Sequence, residues 1–182
     1  AIQDLFPLVP GSYRFDLLLK NTVSKEFTTF EGTVTIPEEG ALPVLTPLVL
    51  GYRLEKGAPS PGESIPFRTK GGQLLTPARK TFAQKENLVV FFQIPGLSPE
   101  LRSSGRLKFD IFRKEAPFSS QTKRIADYPQ APDFLESFAL QEFPPDYYKI
   151  RVAVLDVGGA ESLARDENFE IAAVPDISRP LV

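Results

Sequence analysis

The chain contains no cysteine, histidine, methionine or tryptophan. Without cysteine there is no disulfide framework, no thiol catalysis and no zinc–thiolate site. Without histidine, the commonest general base and the commonest nitrogen ligand for metal ions are both missing. Any catalysis would therefore need carboxylates alone or a serine–lysine pair. Because no methionine is present, we expect Ala1 to result from processing or from excision out of a longer chain.

Clustered charge and long apolar runs are also scarce. The formal net charge is −2 and the basic residues are spread among acidic ones, so a nucleic-acid-binding face is not expected. No apolar run is long enough to cross a bilayer, and we expect no membrane-spanning segment. No window keeps apolar residues at helical spacing for three turns, so we expect no amphipathic helix.

Strand patterns dominate what is present. Apolar and polar residues alternate over residues 13–19 and again over residues 107–113. Residues 88–94 are rich in β-branched and aromatic residues, which predicts a strand buried on both faces. Residues 117–132 are predicted to be mostly loop, with one edge strand around residues 122–125. Short strands separated by turn residues predict an all-β, antiparallel sandwich of the immunoglobulin or fibronectin III type.

One segment of the chain occurs twice. An offset of 135 positions places residues 10–21 on residues 145–156, and with them Tyr13 on Tyr148. The same offset continues without a gap and aligns three further pairs: Thr28 with Leu163, Val34 with Phe169, and Ile36 with Ile171. A Pro-x-x-Tyr turn before an alternating strand is typical of the penultimate strand of an immunoglobulin-like sandwich.

Both tyrosines are predicted to form tyrosine corners. In such a corner the ring packs at the rim of the sandwich and the hydroxyl bonds a backbone group a few residues upstream. The alternative is that Tyr13 and Tyr148 are ordinary aromatic residues of a strand. Neither interpretation gives them a catalytic role.

The repeat also predicts the domain organisation. Residues 1–40 are expected to form an extra β-hairpin, the tail of an incomplete or atypical first sandwich. Residues 41–62 form a Pro/Gly-containing joint with the first strand, residues 63–175 the immunoglobulin-like sandwich, and residues 176–182 a C-terminal tail. Because an isolated hairpin with an apolar face is costly in water, residues 12–37 should pack onto the sandwich or pair with another chain by strand addition.

Candidate chemistry is sparse. Ser120 and Lys123 match a Ser-x-x-Lys pattern, but that pattern needs a helix to bring the lysine to the serine, and no helix is predicted here. The carboxylates of Asp127, Asp133 and Glu136 could meet a calcium ion, but their spacing matches no calcium loop, and the favoured alternative is a solvated rim. We therefore predict no catalytic, cofactor-binding or metal-binding residues.

Three aromatic residues are candidates for contact with a partner or ligand. Tyr128, Phe134 and Phe138 lie in or beside the predicted loop of residues 117–132. On the rim of a sandwich they could anchor a protein partner or stack on a sugar. The alternative is that they pack into the core beneath the loop.

The strand sequences also resemble a known group of modules. The chain resembles the tandem immunoglobulin-like β-sandwich modules of large secreted proteins of Acidobacteria and related phyla, including those with von Willebrand factor A-type or GWxTD domains. The resemblance rests on residues 82–94, on the alternation of Leu107, Phe109 and Ile111, and on residues 143–148. The resemblance covers residues 45–173 as one module, and residues 1–37 resemble the end of a preceding one.

This resemblance implies a non-enzymatic, structural or protein-interaction role outside the cytoplasm, in the periplasm or after secretion. The implied partner is another protein chain or an upstream domain of the same polypeptide. The alternative function is a carbohydrate-binding module of a larger secreted enzyme. That function would require at least two coplanar, exposed aromatic residues on one sheet face.

Overall fold

The structure is a computed structural model that describes residues 8–36, 38, 43–56, 67–69, 71–129 and 131–173. The chain divides into two compact units, an N-terminal unit within Phe6–Ala41 and a C-terminal unit within Leu42–Val182. The predicted tail of residues 176–182 and the loop part of the joint, residues 57–62, lie outside the described residues.

The N-terminal unit is an antiparallel hairpin of β1 (Gly11–Lys20) and β2 (Phe27–Ile36). The C-terminal unit contains, in chain order, β3 (Val49–Gly51), β4 (Arg53–Glu55), β5 (Arg68–Thr69), β6 (Gly72–Leu75), β7 (Thr81–Ala83), β8 (Asn87–Gln93), helix α1 (Pro99–Ser104), β9 (Arg106–Arg113), β10 (Ala116–Arg124), a 3₁₀ turn (Ile125–Asp127), β11 (Asp133–Ala139), β12 (Asp146–Leu155) and β13 (Glu161–Ala172). The protein is therefore all-β, as predicted.

The strands of the C-terminal unit form three sheets. One sheet has the order β10-β9-β12-β13-β7, in which all neighbours are antiparallel except β13 and β7, which run parallel. A second sheet has the order β11-β8-β3, and a third, small sheet has the order β4-β6-β5. Both three-stranded sheets are antiparallel.

One hydrophobic core joins the five-stranded sheet to the β11-β8-β3 sheet. Phe92 of β8 stacks on Phe134 of β11, with ring centroids 5.2 Å apart, and also contacts Phe109 of β9 at 6.2 Å. Aromatic side chains bury large apolar areas, and pairs of rings in offset or edge contact add further stabilisation. The two sheets therefore share their inner faces.

Strand β8 is buried on both faces, which confirms that prediction. Leu88, Val90 and Phe92 point into the main core, while Val89 and Phe91 pack with Leu74 in a second apolar cluster beside the small sheet. Because consecutive side chains of a strand point to opposite faces, a strand that packs against an apolar cluster on each face needs an unbroken run of apolar residues.

One short helix was not predicted, and one local prediction needs correction. Helix α1 has six residues and no buried face, so it is not the amphipathic helix that the sequence pattern excludes. The Ser98 side chain caps it by accepting a hydrogen bond from the Leu101 amide at 3.2 Å. The region predicted to be mostly loop holds β10, which pairs along β9 with a register shift between Pro117 and Ser119. Proline and small polar residues are tolerated there because β10 is an edge strand of its sheet.

Candidate interaction surface

The repeated sequence folds into the same hairpin twice. The offset of 135 that relates Tyr13 to Tyr148 also relates the bounds of β1 (Gly11–Lys20) to those of β12 (Asp146–Leu155). The registers agree as well, because Tyr13 lies opposite Val34 and Tyr148 lies opposite Phe169. They diverge only near the turn, where β12 and β13 shift register between Val154 and Leu155.

Each tyrosine makes the same hydrogen bond in its own hairpin. The Tyr148 hydroxyl donates to the carbonyl oxygen of Pro144 at 2.6 Å, and the Tyr13 hydroxyl donates to the carbonyl oxygen of Val9 at 2.8 Å. Both acceptors lie four positions upstream, the kind of bond expected of a tyrosine corner. Burial raises the pKa of Tyr148, whose ring stacks on Phe169 with centroids 5.4 Å apart.

The apolar face of the β12–β13 hairpin is covered. Tyr148, Ile150, Val152 and Val154 alternate along β12, and each is at most 2% exposed. All four belong to the core shared with the β11-β8-β3 sheet. This hairpin therefore shows how the repeated sequence is buried when a second sheet is available.

The equivalent face of the β1–β2 hairpin is exposed. Phe15, Leu17 and Leu19 occupy the positions of Ile150, Val152 and Val154, and they are 43–49% exposed. Two apolar side chains of β2, Phe30 and Val34, lie opposite Leu17 and Tyr13 and so share this face. Among the described residues of the N-terminal unit there are only these two strands, so no second sheet of that unit covers the face. We call Tyr13, Phe15, Leu17, Leu19, Phe30 and Val34 the apolar face.

Side chains of the hairpin cover part of this face themselves. Phe15 lies opposite Gly32, and a Cβ atom at Gly32 would come within 2.5 Å of the Phe15 ring. The same ring contacts Phe30, with centroids 5.9 Å apart. The glycine therefore lets the Phe15 ring lie across β2, an arrangement that shields backbone left bare by a missing side chain.

The opposite face of the same hairpin carries charged residues beside the exposed side chains of Leu18 and Phe27. Asp16 lies directly opposite Glu31, and Arg14 contacts both, at 3.6 Å and 2.8 Å. All three side chains are 66–69% exposed, so these ion pairs contribute little to stability. The arrangement leaves two carboxylates close to one guanidinium.

In the second hairpin, the outer edge of β12 is paired with β9. Arg151, the equivalent of Asp16, lies opposite Asp110 of β9 and also binds Asp166 of β13 at 2.9 Å. Although partial burial raises the pKa of Asp110, hydrogen bonds from Lys108 and Ser120 and the charge of Arg151 lower it overall. In the described part of the N-terminal unit, no strand occupies the equivalent edge of β1.

Of the two interpretations of the three candidate aromatic residues, the structure agrees with packing beneath the loop: Phe134 lies in the core, and Tyr128 and Phe138 pack against it. Phe134 is fully buried between Phe92 and Tyr128, and Phe138 is half-buried with its ring edge-on to Phe109 at 5.8 Å. Tyr128 is half-buried, and its hydroxyl donates to Glu136 at 2.6 Å. Burial and this carboxylate raise the pKa of Tyr128. None of the three lies in an exposed platform that could stack on a sugar.

Sequence reasoning did not identify the buried carboxylate of Glu136. This residue is 8% exposed and accepts hydrogen bonds from Lys123 of β10 at 2.7 Å and from Tyr128. The signal was present in β11, where Glu136 occupies the inward position between Phe134 and Phe138. The ion pair between Lys123 of β10 and Glu136 of β11 links the edge strands of the two sheets that share the core.

The remaining candidate chemistry is dispersed. Ser120 donates to Asp110 at 2.6 Å, whereas Lys123 points to the other face of β10 and binds Glu136. Asp127 binds Arg124, and Asp133 accepts from the Gln93 side chain at 2.7 Å. Across the described residues, no group of three or more carboxylates is placed to hold a metal ion.

Comparison of the sequence with models of known protein families and with curated proteins returned no match. Within the described ranges, no helix is long and apolar enough to span a membrane.

Proposed function

We propose that the chain is a non-enzymatic protein-interaction module with an immunoglobulin- or fibronectin III-like sandwich, and that it belongs to a structural assembly outside the cytoplasm. Its binding element is the hairpin within residues 12–37. One observation carries this proposal: the chain builds the same hairpin twice in the same register, with one apolar face covered and the other exposed.

The strand order supports the immunoglobulin-like assignment. Strands β9, β12 and β13 are neighbours in one sheet, like strands C, F and G of an immunoglobulin domain. Strands β3, β8 and β11 are neighbours in the other sheet, like strands A, B and E. Tyr148 then lies near the start of the F-like strand, where the tyrosine corner belongs.

The energetics of the apolar face support a binding role. A two-stranded hairpin is marginally stable in water on its own, and a contiguous exposed apolar patch marks an interaction site. Fully burying one large apolar side chain is worth about 1.5–3 kcal/mol, and Phe15, Leu17 and Leu19 are 43–49% exposed, so each has about half of that left to contribute to a complex. A partner that covers this face would bury apolar side chains in the way that the β11-β8-β3 sheet buries those of β12 and β13.

The test is capture of a partner by the purified chain from the periplasmic or secreted fraction of the cells that produce it. The variant Leu17→Thr/Phe30→Thr removes an apolar pair from the apolar face, and threonine preserves strand propensity. The matched control, Leu18→Thr/Phe27→Thr, makes the same changes to exposed residues on the other face. We expect capture to fall more than about tenfold for the first variant only. Equal capture by both variants would contradict the proposal.

A further inference from the structure

We infer that the β1–β2 hairpin completes a neighbouring sandwich unit that lacks its own closing hairpin, and that this unit places an antiparallel strand with a basic residue opposite Asp16 along the edge of β1. The inference rests on the proposed function and specifies the chemistry of the partner.

The second hairpin provides the template for the missing strand. Along the edge of β12, strand β9 places Ile111, Phe109 and Leu107 opposite Ile150, Val152 and Val154. The equivalent residues of β1 are Phe15, Leu17 and Leu19, which are also apolar. The incoming strand should therefore present apolar residues at three alternate positions, on the same face as the apolar face of the hairpin.

The charge of the central residue distinguishes the edge of β1 from the edge of β12. In the covered hairpin a basic residue, Arg151, lies between Asp110 of β9 and Asp166 of β13. In the exposed hairpin the equivalent residue is acidic: Asp16 lies opposite Glu31, and the single guanidinium of Arg14 contacts both carboxylates, which leaves an excess negative charge. Opposite charges across neighbouring strands stabilise a sheet and like charges destabilise it. The edge of β1 thus favours Lys or Arg where β9 has Asp110.

A second copy of this chain is a poor candidate for the unit that pairs with the β1–β2 hairpin. Strand β9 of another copy would place Asp110 against Asp16. Direct pairing of β1 with β1 of another copy would extend the hairpin into a four-stranded sheet but leave both apolar faces uncovered. A sandwich unit supplies both the edge strand and the covering sheet, as the C-terminal unit does for β12–β13.

The test uses the intact chain and two peptides with the sequence of residues 107–114, one unchanged and one with Asp110→Lys. The peptides begin at residue 107 so that Arg106 does not fall opposite Lys20. Binding to the chain and to its Asp16→Lys variant is measured by titration with amide chemical shifts as the readout. Asp16 is exposed, so the substitution leaves the fold unchanged. A scrambled peptide of the same composition as the Asp110→Lys peptide controls for net charge.

We expect a crossover of affinities. The chain should bind the Asp110→Lys peptide about fivefold more tightly than the unchanged peptide, and the Asp16→Lys variant should reverse that order. Shift changes should concentrate in residues 11–20. Absence of the crossover, shifts centred on another edge, or a dimer formed through β1 in sedimentation experiments would each overturn the inference. If the crossover fails while partner capture still depends on Leu17 and Phe30, the proposed function stands and only the edge assignment is lost.

Discussion

Replacing Lys123 with methionine should destabilise the C-terminal unit by leaving the Glu136 carboxylate buried without its cation. Glu136 is 8% exposed, whereas the Lys123 side chain is 41% exposed. Breaking a fully buried ion pair typically costs 3–5 kcal/mol, and the exposure of Lys123 reduces this value. We therefore expect a loss of about 2 kcal/mol in the free energy of unfolding, since Tyr128 still donates one hydrogen bond.

The asymmetry of burial makes the prediction specific. In the variant Glu136→Leu, the remaining Lys123 side chain reaches water. The free energy of unfolding should therefore fall by less than in Lys123→Met. The double variant Lys123→Met/Glu136→Leu replaces the pair by apolar groups and leaves only the Tyr128 hydroxyl without its acceptor, so it should be less destabilised than Lys123→Met alone. Lys80→Met is the matched control, because Lys80 binds Glu167 at 2.7 Å but is 53% exposed.

Urea unfolding followed by far-ultraviolet circular dichroism measures these differences. The reasoning fails if Lys123→Met costs no more than Lys80→Met. It also fails if the double-mutant cycle gives a coupling free energy below about 0.5 kcal/mol, since contacting residues of one network couple by at least that amount.

Two further predictions concern the aromatic residues of the core. Phe134→Ala should lower the free energy of unfolding by about 3–5 kcal/mol in urea, because the ring is fully buried, whereas Val157→Ala at an exposed position should stay within about 0.5 kcal/mol. A small loss in Phe134→Ala would contradict its placement in the core. The raised pKa of Tyr128 means that the unfolded chain loses that proton first, so stability should be intact below about pH 10 and fall as the pH rises above it. Tyr128→Phe should weaken that fall in alkaline unfolding curves, and an unchanged pH dependence would refute the assignment.

The parts of the fold that depend on long, regular patterns were predictable. The unbroken apolar run of β8 indicated burial on both faces, and the constant offset between the two tyrosine turns indicated two equivalent hairpins. Both signals arise because side chains alternate between the faces of a strand, so any register error would expose several apolar residues together.

The parts that were missed depend on tertiary context. Helix α1 is short, and its signals are the capping residue Ser98, the following proline and Gly105. Strand β10 contains proline and small polar residues, which only its position at a sheet edge makes acceptable. The alternation of β11 places Glu136 on the inward face, but its hydrogen-bond donors, Lys123 and Tyr128, lie outside that strand, and no pattern within β11 could indicate them.

The position of β13 has a mechanical consequence. It is held on one side by antiparallel β12 and, near its C-terminal end, on the other side by parallel β7. Tension directed along β13 loads the hydrogen bonds of both ladders in shear, so many bonds must yield together. Peeling an edge strand away breaks its bonds one at a time and needs less force. Strand β13 is therefore better placed to resist a pull along its own axis than an edge strand is to resist peeling.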